Sequence, residues 1–268
     1  MNILGLIAAI SAGMFFGFIG PTTKLAYNLG ASIGLAIILR YIVGTLLIIP
    51  ALFYKPPSIN IFKSNINILM LFTLSSILLT TGLLSAVNFI DVSLTMLIFS
   101  TYPIIVLIFS IFVNKEKINF RKKLFFFIAF IGIFFVLGPS FDRLNFQGIS
   151  AAIIASIGAS TMIITNQKMS NLKINPIHIH FFTNSFNCIF FILVIYIFFN
   201  LNLKIGISAW TMVLIPTIFY TIAFFSQLIA IQKIGQSKTA LLLYIEPVVG
   251  ILGATIILSE KLTQYQVA

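Results

Sequence analysis

The chain of 268 residues is 60% hydrophobic and only 8% charged, and its mean hydropathy is +1.13. Soluble domains carry about 25% charged residues, so this chain has too few to cover a water-facing surface, and we predict an integral membrane protein. The net charge of +11 falls on short connections between apolar segments, which indicates membrane topology and not a nucleic-acid partner. The single cysteine, Cys188, excludes an intramolecular disulfide.

Nine apolar segments are long enough, or nearly so, to cross the hydrocarbon core as helices. They cover residues 3–21, 31–53, 66–87, 92–113, 124–139, 148–166, 177–199, 209–231 and 239–258. Their apolar runs are continuous, whereas barrel strands alternate, so the predicted fold is all-α. The first segment has no basic stretch before it and is long for a signal peptide, which favours a retained first helix.

The basic residues in the connections predict the orientation. With the N-terminus in the cytoplasm, the inside loops hold eleven of the sixteen Lys and Arg residues and the outside loops hold four, Arg40 within the second segment being the last. We therefore expect a multi-pass protein of the cell inner membrane with a cytoplasmic N-terminus. Nine helices then place the C-terminus outside.

The chain contains an internal repeat. A shift of 144 residues lays "VSLTMLIFSTYPIIVLIFSIFVNKEK" over "QSKTALLLYIEPVVGILGATIILSEK". Pro103 then coincides with Pro247, and the Glu-Lys pair at 116–117 coincides with the pair at 260–261. One apolar helix rarely matches another by chance at both features, so we predict two copies of one unit.

The predicted copies are residues 1–145, with helices 1 to 5, and residues 146–268, with helices 6 to 9. Each unit has five helices, an odd number, so the second copy begins on the opposite side of the membrane and is inverted relative to the first. In all four pairs of equivalent loops, the member inferred to be cytoplasmic is the more basic one. Inverted repeats of this kind are typical of secondary transporters.

The segments "STYPIIVLIFSIFVNKEK" and "YIEPVVGILGATIILSEK" resemble the EamA-type transporters of the drug/metabolite transporter superfamily. The resemblance implies ten helices in two inverted five-helix copies, and a site near mid-membrane between helices 1, 3, 4, 6, 8 and 9. It also implies alternating access and substrates such as amino acids, nucleoside-like metabolites or amphipathic compounds. This chain is expected to lack the tenth helix, which leaves a truncated, non-transporting remnant or membrane scaffold as the alternative.

Glu246 is the only charged residue between Thr239 and Leu258. Pro247 deprives the carbonyl of Leu243 of its helical donor, and we predict helix kinks there and at Pro103. An ionised acid at mid-bilayer costs about 2.5–3.5 kcal/mol, so Glu246 is expected to face the interior. There it would contact a substrate amine or couple transport to protons; the alternative is a structural acid that marks the kink.

Four more residues complete the predicted substrate site. Arg40 would bind a carboxylate, pair with Glu246, or extend its side chain toward the lipid headgroups. Tyr102 and Tyr244 stand beside the two predicted kinks and have far-reaching polar ends. Gln227 is costly to bury unpaired, so a partner or a ligand is expected.

The sequence offers no catalytic, metal or cofactor site. His178 and His180 are two residues apart and do not share a helix face. No nucleotide-binding G-x-x-x-x-G-K motif occurs, and no catalytic triad or carboxylate pair can be assembled, so we do not expect an enzyme. The expected partners are a small-molecule substrate and the lipid bilayer; protons as coupling ion and a homodimer stay open.

Overall fold

A computed structural model describes residues 2–54, 56, 63–112, 119–137, 144–198 and 203–258. Within these ranges the regular structure is helical and contains no strand, which confirms the all-α prediction. The helices are α1 (Ile3–Asn28), α2 (Ile33–Tyr54), α3 (Ile66–Phe89), α4 (Val92–Phe99), α5 (Tyr102–Phe112), α6 (Phe120–Leu137), α7 (Phe146–Asn171), α8 (Pro176–Phe198), α9 (Ile207–Ile234), α10 (Gln236–Leu242) and α11 (Ile245–Leu258).

The helices form nine segments at the predicted places, because α4 with α5 and α10 with α11 each make one interrupted segment. Eight segments of the described chain are long and apolar enough to cross a membrane, and the ninth, in α6, is a shorter apolar helix at Lys123–Phe135. The nine-helix prediction is therefore confirmed. Some predicted features lie outside the described residues. They are the last residues of three predicted segments (113, 138–139 and 199), both Glu-Lys pairs and the tail after 258.

The fourth and ninth segments are interrupted where the sequence predicted kinks. The first break is at Ser100 and Thr101, and the second at Leu243 and Tyr244. Pro103 is the second residue of α5, and proline is tolerated in the first turn of a helix because its missing N–H would have no partner there. Pro247 lies in the first turn of α11 in the same way. Each proline therefore lies at the start of a new helix after the break.

Two long helix pairs form the centre of the bundle, α1 with α9 and α3 with α7. Small residues allow the second pair to approach closely. A Cβ added at Gly82 would lie 2.6 Å from the carbonyl oxygen of Ala151, and one added at Gly158 would lie 2.7 Å from that of Ser75. With contacts this short, a larger residue at either glycine would force the two helices apart.

The helix α1 makes a comparable approach to the second broken segment. A Cβ added at Gly17 would lie 2.6 Å from the carbonyl oxygen of Glu246. Gly13 lies one turn earlier and faces the side chain of Ile245. These two glycines therefore allow α1 to pack directly against the second break, and this contact positions the start of α11 against α1.

Candidate functional site

A small cavity lies at the middle of the bundle, between both broken segments. It is lined by side chains from α1, α2, α3, α4, α5, α7, α9 and α11: Phe16, Ile19, Gly20, Arg40, Leu79, Leu83, Met96, Phe99, Tyr102, Ala159, Met162, Tyr220, Gln227 and Glu246. The space open to the centre of a water-sized sphere is about 40 Å³. Since one water needs about 10–15 Å³ of such space, the cavity holds roughly three waters in this conformation.

The second break carries Glu246 to the cavity wall. Glu246 is the second residue of α11 and is 5% exposed. Its backbone N–H donates to the carbonyl of Leu243 at 2.9 Å, which turns the chain across the break. The carboxyl group therefore stands in the first turn of a helix, where the helix dipole stabilises negative charge. The break and the helix start together explain how an acidic side chain is held in the interior of the bundle.

Arg40 lines the same cavity from α2 and is 4% exposed. Its guanidinium carbon lies 4.6 Å from the centre of the Tyr220 ring, a cation–π geometry. The ion pair with Glu246 suggested by the sequence is not seen among the described residues, where the guanidinium of Arg40 packs on Tyr220 instead. The cavity wall thus contains one basic and one acidic side chain, and the two are not paired with each other.

Tyr102 and Gln227 also line the cavity, as the sequence analysis grouped them. The Tyr102 ring lies 4.9 Å from the ring of Phe99 across the first break. Its backbone carbonyl accepts a hydrogen bond of 3.2 Å from the hydroxyl of Ser160 on α7. These contacts tie the start of α5 to both α4 and α7.

Tyr244 is placed differently and is not among the residues that line the cavity. Its ring packs edge-on against Phe126 of α6, with the ring centres 6.1 Å apart. Its hydroxyl is buried and has no hydrogen-bond partner among the described residues. The structure thus brings together four of the five predicted substrate-site residues and turns the fifth toward α6.

Sequence reasoning did not identify the apolar lining of the cavity. Phe16, Leu79, Met96 and Phe99 look like any other core residue of a membrane helix. For Met96 and Phe99 a signal was present, because both lie within one turn before the first break. Nothing comparable distinguishes Phe16 from its apolar neighbours in the sequence.

The model of the EamA-like transporter family matches the chain over residues 3–138 and 146–268. An "Uncharacterized transporter" of Buchnera aphidicola subsp. Schizaphis graminum (strain Sg) is 32% identical over 139 residues, which are 51% of this chain and 43% of that protein. A solved crystal structure superposes on this chain with a TM-score of 0.78 at 17% sequence identity. The match covers 97% of this chain and 91% of the chain in that structure. That last similarity concerns the fold alone.

Proposed function

Since the chain belongs to the EamA-like transporter family, we propose that it is a secondary transporter of a small zwitterionic metabolite, in the simplest case an apolar amino acid. Membership of the family and eight membrane-crossing segments in the described chain make it a multi-pass membrane protein of a transporter family. The observation that carries the finer proposal is the central cavity, where Arg40 and Glu246 face one space unpaired and the other walls are largely apolar.

The two charges favour a ligand that carries both complementary groups. An ammonium group would bind the carboxylate of Glu246, and a carboxylate would bind the guanidinium of Arg40 in a bidentate pair. A ligand with neither charge, such as a nucleoside, would leave both side chains desolvated without compensation. The apolar wall, which includes Leu79, Met96 and Phe99, suits an apolar side chain. Among the candidate substrate classes, amino acids therefore fit best.

Transport requires the cavity to open to one side at a time. Its present free volume of about 40 Å³ is too small for an amino acid, so the surrounding helices must separate for binding. We propose that residues 1–145 and 146–268 act as inverted repeats that rock about the cavity. The helix pairs support this, because a shift of 144 residues takes α1 onto α7 and α3 onto α9, and so exchanges the two central pairs.

Ligand-dependent thermal unfolding of the purified chain in detergent tests the substrate class. We expect L-leucine to raise the unfolding midpoint, since a ligand at 100 times its Kd stabilises the folded state by about 2.7 kcal/mol. Leucinamide lacks the carboxylate, N-acetyl-leucine lacks the free amine, and uridine lacks both, so none of them should match leucine. A response to uridine and not to leucine would refute the zwitterion assignment. A folded chain that responds to no ligand would support the remnant or scaffold.

Two variants assign the charged contacts. Glu246→Gln and Arg40→Gln should each abolish the leucine response while leaving the chain folded. Asp91→Asn and Lys63→Gln are matched controls, because they make the same charge changes at sites that do not line the cavity. The controls should respond to leucine as the unaltered chain does. If the control variants lost the leucine response as fully as the test variants, the loss would be an unspecific effect of charge.

The same variants decide whether transport occurs and whether protons drive it. In liposomes, the unaltered chain should exchange radiolabelled leucine, and Glu246→Gln should not. An imposed pH gradient accelerates net uptake only when proton movement is coupled to transport. Binding without exchange would separate a ligand-binding scaffold from a transporter.

We further propose that the protein lies in the cell inner membrane with its N-terminus in the cytoplasm. Leu172 and Leu203 lie at opposite ends of the adjoining helix α8 and are about equally exposed, 54% and 55%. In intact spheroplasts, a membrane-impermeant maleimide should label Leu203→Cys and leave Leu172→Cys unlabelled until lysis. The reverse pattern would invert the orientation.

A further inference from the structure

A second, wider groove lies at one end of the bundle, between the α7–α8 turn and the last turns of α9. Its free volume is about 480 Å³, within the range of about 300–1,000 Å³ typical of small-molecule sites. Lys173 and Lys233 lie at its edge and are exposed, whereas Ile177, Phe225 and Ile229 are half-buried in its wall. No acidic side chain of the described chain lines it. The groove therefore combines two basic residues and the polar side chains of Ser170, Asn175 and Gln232 with an apolar side.

The turn that carries Lys173 is held firmly in place. Lys173 has a left-handed backbone with φ 57°, and its N–H donates to the carbonyl of Ser170 at 2.9 Å. The side-chain amide of Gln232 on α9 donates to the carbonyl of Ile174 at 2.8 Å. This bond ties the turn to the helix that carries Lys233. The backbone at both lysines is thereby fixed beside the same groove before any ligand arrives.

An apolar track continues from the groove along the outside of α9. Leu214, Ile218 and Ile222 follow one another at four-residue spacing, and they are exposed by 37%, 42% and 38%. At 1.5 Å per residue, Phe225 lies about 12 Å from Lys233 along the helix, and Leu214 lies about 28 Å from it. A hydrocarbon core about 30 Å thick covers that distance, so the lysines lie at headgroup level and the track lies in the acyl region.

We propose that the groove is a binding site for an anionic phospholipid of the phosphatidylglycerol type. The phosphate binds between Lys173 and Lys233, and one acyl chain packs on Ile229 and Phe225 and ends at Ile222, because one leaflet is about half as thick as the hydrocarbon core. Charge complementarity selects this occupant, because basic pockets between membrane helices favour acidic headgroups and the apolar wall requires a chain on the same molecule. The leaflet is the one on the side of the α7–α8 turn.

Lipid titration with native mass spectrometry of the purified full chain tests the proposal. The probe is phosphatidylglycerol, and phosphatidylcholine with the same acyl chains is the uncharged reference. The groove variant combines Lys173→Asn, since asparagine accepts the left-handed conformation, with Lys233→Gln. The control combines Lys63→Gln with Lys123→Gln, two exposed lysines outside the groove. Removing both groove lysines should weaken phosphatidylglycerol binding roughly thirtyfold, and the control should not differ from the unaltered chain.

Free phosphate and the lipid share the same headgroup chemistry, and a competition experiment distinguishes them. Inorganic phosphate and glycerol 3-phosphate should displace phosphatidylglycerol only at concentrations far above that of the lipid, because they lack the acyl chain. Ile222→Ser should weaken lipid binding severalfold and leave the binding of inorganic phosphate unchanged. Equal binding of phosphatidylglycerol and phosphatidylcholine, equal loss in both double variants, or inorganic phosphate as effective as the lipid would each overturn the proposal.

Discussion

Substitution of Gly17 by alanine tests the close packing that positions the candidate site. A Cβ at this position would lie 2.6 Å from the backbone oxygen of Glu246, and 2.7 Å and 2.9 Å from the Cβ and Cγ1 atoms of Val249. The carbonyl cannot rotate away without moving the first turn of α11. To restore an ordinary contact of 3.4 Å, α1 and α11 must separate by about 0.8 Å.

The expected destabilisation follows from two opposing effects. Forcing an extra methyl group into a packed contact costs about 1–3 kcal/mol. Alanine regains about 0.5–1 kcal/mol over glycine in a helix interior. Gly132→Ala is the matched control, because Gly132 lies inside α6 and a Cβ there meets no atom within 4 Å. Both variants gain the helix preference, so Gly17→Ala should be less stable than Gly132→Ala by the packing cost alone, about 1–3 kcal/mol.

The assay is reversible unfolding of the purified chain in mixed micelles, followed by helical circular dichroism. A second measurement on the folded protein is the leucine-dependent shift in the unfolding midpoint. This shift should be smaller in Gly17→Ala, because the carboxyl group of Glu246 moves with α11, and unchanged in Gly132→Ala. If the two variants are equally stable and bind equally, the approach of α1 to α11 is not as close as described, and Glu246 is not positioned by it.

Three further substitutions probe the frame of the site by the same unfolding assay. Gly158→Ala should cost about 1–3 kcal/mol, because its Cβ would lie 2.7 Å from the carbonyl of Ser75 on α3; wild-type stability would refute that contact. Tyr41→Phe should cost about 0.5–1.5 kcal/mol through loss of the 2.8 Å hydrogen bond to Thr80, and no change would mean that the bond does not form. Gly235→Ala should cost about 1–3 kcal/mol, because φ is 82° there, and a stabilised variant would contradict that backbone conformation.

The membrane fold could be predicted closely from the sequence because a bilayer constrains the chain more strongly than water does. Each crossing must satisfy its own backbone hydrogen bonds, so an apolar run of sufficient length is a helix. The same reasoning applies to the two charges within the helices that line the cavity. An ionised acid is costly in lipid, so Glu246 was expected to face the interior, whereas for Arg40 an extension toward the headgroups was left open. Both residues line the cavity.

The placement of the two tyrosines shows where this reasoning was incomplete. Tyr102 and Tyr244 were grouped because each stands near a proline, but Tyr102 is one residue before Pro103 and Tyr244 is three before Pro247. Successive residues on a helix are separated by about 100°, so two positions of difference turn a side chain toward the opposite face. The residue directly before Pro247 is Glu246. Counting from each proline would have matched Tyr102 with Glu246, and both of these line the cavity.

The pairing of Tyr102 with Glu246 is one of two such pairs in the cavity, and both pairs differ in polarity between the two halves of the chain. The shift of 144 residues also places Leu83 on Gln227, and both members of this second pair line the cavity. In each pair the first half of the chain supplies the less polar residue, and the second half supplies the amide or the acid. Apart from Arg40, the residues of 1–145 that line the cavity are apolar or aromatic. The helix pairs are related by the repeat, but the two sides of the cavity differ in polarity. We therefore propose that an amphipathic ligand binds in one orientation, with its apolar body against the first half and its amine against Glu246 in the second.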